Sequence, residues 1–474
     1  MINVECDEQS ISEIKEIYAL QQSYYKQIGK TKASERIKKL KKFEQTILKY
    51  RKELQDAMLK DYRKPAAEVD LTEIYPVLTE IRFAIKHLKK WMTPKSVAHP
   101  ITMTGTSSWI HYEPKGMCLI IAPWNYPMQL LFAPLISAIS AGNSVILKPS
   151  EFTSNTVMVM RQIIEESFEA KEIAIVEGGV EVSTTLLNLK FDHIFFTGAP
   201  EIGKIVMTAA AKNLSSVTLE LGGKSPTIID ETANIKAIVS RIAWAKFTNA
   251  GQICIAPDYI LIHKSKKEEF IQSLSDQIKK HYGEDAIESP DYLRIINTKH
   301  FLRLKGYLEN AIQSGGKIMY GGKLNESENY IEPTLVTELS LDSDLMQHEV
   351  FGPILPIVTY EKKEEVIELI NSKEKPLALY IYSRNNKNIK YFVNNTSAGG
   401  SCINMSSVHI GNPNLPFGGV NNSGIGKSRG HYGFIEFTNE RSMFRQRIPS
   451  AIQLMTPPYS KFKQKLIDLT LKYF

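Results

Sequence analysis

Cysteine is scarce: Cys6, Cys118, Cys254 and Cys402 are the four in 474 residues, far apart and never in a Cys-x-x-Cys pair. A disulfide framework and a zinc ribbon fall away, leaving each thiol as a small buried apolar group or a reactive one. The ten histidines form no His-x-x-x-His or His-Glu-x-x-His pattern, so no metal is expected. No apolar run is long enough for a bilayer. The most apolar stretch, residues 130–142, is interrupted by Pro134 and falls short of the ~20 residues a span needs. The first ten residues lack a basic segment followed by an apolar one, so no secretory signal is read there and a cytoplasmic location is expected. The net charge of +7 is spread along the chain, so nucleic acid is not an expected partner. There is no fixed-period repeat and no low-complexity tract.

What is present is a globular composition in a chain too long for one core, since single cores stop growing near ~250–300 residues. The first ninety residues read as charged helices, with Ile37, Leu40, Phe43, Ile47, Leu54 and Met58 forming one buried stripe. From about Gly105 the pattern changes. Strands at 108–112, 117–122, 144–147, 173–176 and 191–196 alternate with helices at 155–168, 182–188 and 202–212. After Gly222-Gly223 the rhythm restarts, with strands at 227–229 and 259–262 and helices at 234–247 and 268–281. Continuous apolar strands between helices predict an α/β fold of two domains, each with a mostly parallel sheet. Residues 434–445 read as a late strand, and 459–474 as a helix with Phe462, Leu466, Leu469 and Tyr473 on one face.

Four segments carry groups suited to chemistry. Residues 191–198 run from a strand into Gly198, and Pro200 suits the first position of a helix whose free N–H groups could hold an anion. Gly198-x4-Gly203-Lys204 approaches a P-loop, but Ile205 stands where Ser or Thr would hold magnesium, which argues against a nucleotide triphosphatase. A second strand ends in Lys148 with Glu151 close behind, at the sheet edge where α/β proteins bind ligands; a solvated loop fits the same residues. In residues 217–221, alternation places Thr218 and Glu220 opposite three apolar neighbours. A buried Glu220 would gain general-base character, whereas on an edge strand it would simply face water. Cys254 lies among small and polar residues after Gly251, the setting of a nucleophile; Cys118 and Cys402 read as structural.

In this order, these segments resemble the aldehyde dehydrogenase superfamily over nearly the whole chain. Ala122-Pro123-Trp124-Asn125-Tyr126-Pro127 is similar to its Pro-Trp-Asn motif, Leu219-Glu220-Leu221-Gly222-Gly223-Lys224 to its glutamate signature, and Asn249 through Cys254 to its cysteine signature. Glu349-Val350-Phe351-Gly352-Pro353 and Leu415-Pro416-Phe417-Gly418-Gly419-Val420 resemble two further motifs. The Asn249–Tyr259 run and Pro457-Pro458-Tyr459 resemble the class 3 and fatty-aldehyde branch.

The resemblance implies that Cys254 attacks an aldehyde carbonyl, that Asn125 and the Cys254 N–H hold the oxyanion, and that Glu220 activates the water releasing the acid. It implies NAD as cofactor, with NADP an alternative. Lys148 and Glu151 would lie at the adenosine ribose, the Gly198–Gly203 turn near the pyrophosphate, and Glu349 and Phe351 at the nicotinamide riboside, with Trp124 and Thr197 as further cofactor contacts. Ala199 departs from the usual Gly-Ser at that turn. Tyr126, Ile253, Ile255 and Met405 are expected to line an apolar funnel for medium- or long-chain or aromatic aldehydes.

The implied fold has two doubly wound parallel-sheet domains and a small β extension. Residues 1–107 and 114–219 would bind the dinucleotide, 220–425 form the catalytic domain, and 108–113 with 426–450 form the extension that pairs two subunits as a homodimer. The tail, 451–474, would lie across the partner's substrate entrance or rest on a membrane surface. A coenzyme-A-acylating enzyme is the rival within the family, and Glu220 argues against it. A silent relative is the rival outside catalysis, opposed by Asn125, Glu220, Cys254 and Glu349 standing together.

Overall fold

The computed structural model describes residues 8–447 and 455–473; Cys6 and the start of the tail expected from 451 lie outside the described residues. A six-stranded sheet runs in the order Gly424–Ile425, Ser216–Leu221, His193–Gly198, Met117–Ile121, Ser144–Lys148, Ile173–Ile175. Its five long-range strand partners are parallel except at Gly424–Ile425, which runs antiparallel to Ser216–Leu221. Both faces are covered, as strand alternation requires. Cys118 and Ile120 enter one apolar cluster with the buried helix Pro127–Ala141, whereas Met117, Leu119 and Ile121 enter another with Val182, Leu186, Val206 and Ala210. The apolar stretch 130–142 is therefore a core helix. It ends at Gly142, whose φ of 92° no other residue type adopts readily and whose missing Cβ leaves room for the Arg36 guanidinium. Among the described residues no helix is long and apolar enough to cross a membrane.

A second sheet has seven strands, in the order Lys317–Tyr320, Thr334–Thr337, Ile354–Tyr360, Tyr259–His263, Pro226–Ile229, Ala378–Tyr382, Gly400–Ile403. Only its first pairing is antiparallel. A separate three-stranded antiparallel sheet joins Lys95–Val97, Thr106–Pro114 and Thr438–Gln446. The fold is α/β with two doubly wound sheets and a β extension.

Three local expectations change. The apolar stripe from Ile37 to Met58 belongs to two helices, Ala33–Lys49 and Arg51–Tyr62, because the backbone breaks at Tyr50 (φ −92°, ψ 14°). The late strand starts at Thr438, not 434: Gly430–Glu436 is a short helix that buries Phe434 against Trp91, ring centroids 5.7 Å apart. The extension's third strand, Lys95–Val97, is wholly exposed, so burial left no pattern to read. At the far end, Lys461–Tyr473 is a helix with Phe462, Leu469, Leu471 and Tyr473 exposed.

Candidate active site

In the six-stranded sheet the chain fills one side from Met117–Ile121 to Ile173–Ile175, then crosses to the other side for His193–Gly198 and Ser216–Leu221. The order reverses between Met117–Ile121 and His193–Gly198, and a crevice at the carboxyl ends of such strands is where open α/β sheets take ligands. Here it is a cleft of about 780 Å³. Trp124 and Asn125 follow one strand, Thr197 and Gly198 close the next, and Glu220 stands beside Thr197 in register. Cys254, Glu349 and Phe351 reach the same cleft from the second half of the chain.

The turn before Cys254 is held in an unusual shape. Asn249, Ala250 and Gly251 all have left-handed φ (54°, 48° and 72°), which two non-glycine residues adopt only when their surroundings impose it. A Cβ on Gly251 would run into the Gly352 carbonyl. Gln252 is fully buried and acts as a staple. Its Nε2 donates to Asn249 O (3.0 Å) and Arg294 O (3.2 Å), and its Oε1 accepts from Ile296 N–H at 3.1 Å. Asn125 is tied to this turn: its Nδ2 donates to Gln252 O at 2.9 Å, and its own carbonyl accepts from Asn249 Nδ2 at 3.0 Å. An amide carries two N–H donors, so one of them is committed to the Cys254 turn.

A buried ion pair supports this corner from behind. Lys64 Nζ lies 3.5 Å from Glu73 Oε1, with both side chains fully buried, and 4.1 Å from the centroid of the Tyr126 ring. Glu73 Oε2 accepts the Gln129 N–H at 2.7 Å, in the first turn of the helix that follows Asn125.

Burial, with the charges of Glu349 and Glu220 added, pushes the Cys254 thiol up to about 12; the N–H groups of Cys254 and Ile255 pull the other way. At neutral pH the sulfur therefore carries its proton until a base takes it. Glu349 is pushed up to about 8 by burial and Asp258, against the Gly223 N–H that donates to it. Burial also raises Glu220, opposed by Arg429 and by the hydroxyl of Ser428. The glutamate signature thus lies in the interior, not on a solvated edge.

Of the expected cofactor contacts, Trp124, Thr197, Gly198, Glu349 and Phe351 border the cleft. Thr197 borders the cleft with its Oγ1 buried and without a hydrogen-bond partner, and Gly198, Ala199 and Pro200 line the cleft where they lead into the helix Pro200–Ala211, whose N-terminal N–H groups suit an anion. Gly203 lies off the cleft; a Cβ there would sit 2.7 Å from Leu221, so its smallness serves helix-to-strand packing. Lys148 and Glu151 also lie outside its lining, at the end of the adjacent strand, with Nζ and Oε2 3.3 Å apart. None of Tyr126, Ile253, Ile255 and Met405 borders the cleft: Tyr126 and Ile255 are buried, and the other two pack partly buried against the core.

The cleft has further walls that sequence reasoning missed. His300, Arg303 and Tyr307 project from one face of the helix Thr298–Gln313, at the i, i+3, i+7 spacing that could have revealed them. Arg303 donates to Val350 O (2.9 Å) and Phe351 O (3.2 Å), holding the Glu349–Phe351 segment in place. Burial lowers His300 to about 4, and its Nδ1 has no partner. Lys224 holds the same segment from below, donating to Asp258 at 2.5 Å and to His348 O at 2.9 Å. No group of three metal-ligating side chains is arranged for an ion among the described residues.

The model of the aldehyde dehydrogenase family matches residues 3–443. The chain belongs to the aldehyde dehydrogenase family. The 4,4'-diaponeurosporen-aldehyde dehydrogenase of Staphylococcus aureus is 48% identical to this aldehyde dehydrogenase, over 90% of the chain and 93% of the relative. The dimeric NADP-preferring aldehyde dehydrogenase of Rattus norvegicus is 42% identical, over 87% and 90%. Among solved structures, a substrate-bound state of Staphylococcus aureus AldH superposes with a TM-score of 0.92 at 44% identity, covering 97% of this chain and 99% of that one. The protein is an NAD(P)-dependent enzyme that oxidises an aldehyde.

Proposed function

We propose that the aldehyde is oxidised to the carboxylic acid through covalent intermediates on Cys254. The observation that carries this reading is that Cys254, Asn125 and Glu220 border one cleft with Thr197, Gly198, Glu349 and Phe351. The Cys254 sulfur bonds to the carbonyl carbon as its proton leaves to solvent water, forming a thiohemiacetal. The Asn125 amide and the Cys254 N–H face the developing oxyanion; one such donor contributes ~10²–10³ in rate. NAD(P) held in the cleft would supply the hydride acceptor for the thiohemiacetal carbon, and loss of that hydride would leave a thioester on Cys254. Glu220 takes a proton from water, and the resulting oxygen nucleophile releases the acid. A buried carboxylate of raised basicity suits that task near neutral pH.

Thr197, Gly198 and the N-terminus of Pro200–Ala211 would hold the phosphates, Trp124 and Phe351 the nicotinamide side, and Glu349 its ribose. Lys148 and Glu151 would hold the adenosine ribose. An acid beside the 2′-hydroxyl repels a 2′-phosphate, which favours NAD over NADP. The substrate proposed is apolar, of medium or long chain or aromatic. Support comes from the Staphylococcus aureus relative named for 4,4'-diaponeurosporen-aldehyde. The same reading makes the enzyme a cytoplasmic homodimer, because Thr438–Gln446 is a nine-residue edge strand open to pairing, with the C-terminal helix across the partner's entrance.

The test follows absorbance of reduced nicotinamide over a panel of aldehydes ranked by kcat/KM. Apolar aldehydes are expected to lead, with turnover abolished in Cys254→Ser. Turnover surviving in Cys254→Ser contradicts the mechanism, and a preference for small charged semialdehydes contradicts the substrate class.

A further inference from the structure

Glu220 also borders a second and much smaller space, which Cys254 does not line. Its volume of about 10 Å³ admits about one water, and Glu220, Ser428, Arg429 and Ser137 are its polar lining, closed by Leu130, Phe195 and Phe437. Ser428 donates its hydroxyl to Glu220 Oε1. The serine is itself fixed: its N–H donates to Phe417 O at 2.6 Å, and Phe417 N–H donates back to Ser428 O at 3.2 Å.

Arg429 is buried and has φ 76°, a left-handed backbone that an arginine holds only when its neighbours impose it. Those neighbours are visible. Lys427 Nζ donates to Gly418 O (2.7 Å) and Gly419 O (3.0 Å), and the Gly430 N–H donates to the buried Glu80 Oε1 at 2.6 Å. The strained segment sets the Arg429 charge where it favours the ionised form of both Glu220 and Glu80.

We propose that Ser428 and Arg429 are positioning residues for water activation, holding Glu220 as an oriented carboxylate for thioester hydrolysis and taking no part in hydride transfer. This rests on Glu220 being the base of that step. In hydrolysis a water proton passes to Glu220 while the water oxygen bonds to the thioester carbonyl carbon. The carbon–sulfur bond breaks, its electron pair stays on sulfur, and the proton on Glu220 passes to the sulfur to regenerate the thiol. Burial disfavours the Glu220 carboxylate most, with Glu436 adding to it, while Arg429, the Ser428 hydroxyl and Lys427 favour it. Glu220 and Cys254 border the same cleft, and the charge of Glu220 in turn raises the Cys254 thiol.

The test compares Ser428→Ala and Arg429→Gly with Glu220→Gln in the full-length enzyme, by stopped-flow with NAD and an aldehyde. Glycine at 429 accepts the left-handed backbone, so that variant removes the guanidinium without straining the backbone. The expected result is a rapid burst of reduced nicotinamide matching the number of sites, then a steady state slowed about tenfold at neutral pH. The aldehyde kcat/KM should stay unchanged, with KM falling in step with kcat, because only the step after acylation is slowed. The acid limb of kcat should move up by about one to two pH units, since a lost hydrogen bond or charge on the carboxylate raises its pKa. Ser428→Thr, which keeps the hydroxyl, should restore both rate and profile. Wild-type rates and pH profiles in both variants overturn the proposal, and so does loss of the burst along with the steady state. If Glu220→Gln itself retains steady-state turnover, the base assignment fails instead.

Discussion

Replacing Lys64 by Met is expected to destabilise the enzyme strongly at pH 8 and little at pH 5. The perturbation removes the cation 3.5 Å from Glu73 in a fully buried pair. Burial pushes Glu73 from 4.5 up to about 7, with Lys64 and the N–H groups of Gln129 and Met128 pulling the other way. A carboxyl raised in the folded state contributes stability below its unfolded pKa and loses it as pH climbs through the folded one. From 4.5 to about 7 that loss is about 3 kcal/mol, at ~1.4 kcal/mol per unit. Without Lys64 the folded value moves higher, so the loss continues past pH 7. Removing one partner of a buried pair costs about 3–5 kcal/mol when the other stays charged. At pH 5 Glu73 is protonated in both proteins, and Met replaces a buried ammonium left with Glu68 alone to oppose its burial, so the cost falls to about 1 kcal/mol or less. The assay is urea denaturation followed by intrinsic fluorescence at half-unit steps from pH 5 to 8. The double variant Lys64→Met/Glu73→Gln should regain most of the loss at pH 8. Equal loss at pH 5 and 8, or a double variant no better than the single, would refute the reasoning.

Three further outcomes can be checked. Gly251→Ala forces a side chain into the left-handed region, at about 1–2 kcal/mol, and toward the Gly352 carbonyl; kcat should fall at least about tenfold while NAD binding, read by fluorescence quenching, stays intact. Glu151→Ala removes an acid next to Lys148 and should raise kcat/KM for NADP relative to NAD by about tenfold, ~1.4 kcal/mol; an unchanged ratio places Glu151 away from the ribose. Deleting residues after Pro458 removes a helix with four exposed apolar side chains and four lysines; it should alter aldehyde selectivity and leave sedimentation with anionic liposomes unchanged, whereas lost sedimentation would point to a membrane surface.

The parallel sheets were legible because their strands are continuous apolar runs, and each strand expected between 117 and 262 forms within a few residues of its expected limits. The cysteine turn and the glutamate strand were legible because a nucleophile among small residues, and a carboxylate within an apolar strand, are local anomalies. What stayed hidden is non-local. Lys64 and Glu73 look in sequence like two more surface charges on a charged helical segment, yet both are fully buried, because each finds its counter-charge in the other and Glu73 also finds an N–H 56 residues away. Ser428 meets Glu220 across 208 residues of chain, and nothing near either residue announces the contact. The residues expected to line the funnel lie off the cleft, and Ile255, next to Cys254, is buried at the Ile253–Ala256 turn (Ala256 N–H to Ile253 O, 3.0 Å).

The most direct test of the covalent account is mass spectrometry of the enzyme quenched during turnover. Glu220→Gln enzyme mixed with NAD and an aldehyde, quenched in acid and digested, should carry the acyl mass on the peptide containing Cys254, in step with the nicotinamide reduced. Reduced nicotinamide forming without that adduct, or the same mass on Cys118 or Cys402, would contradict it.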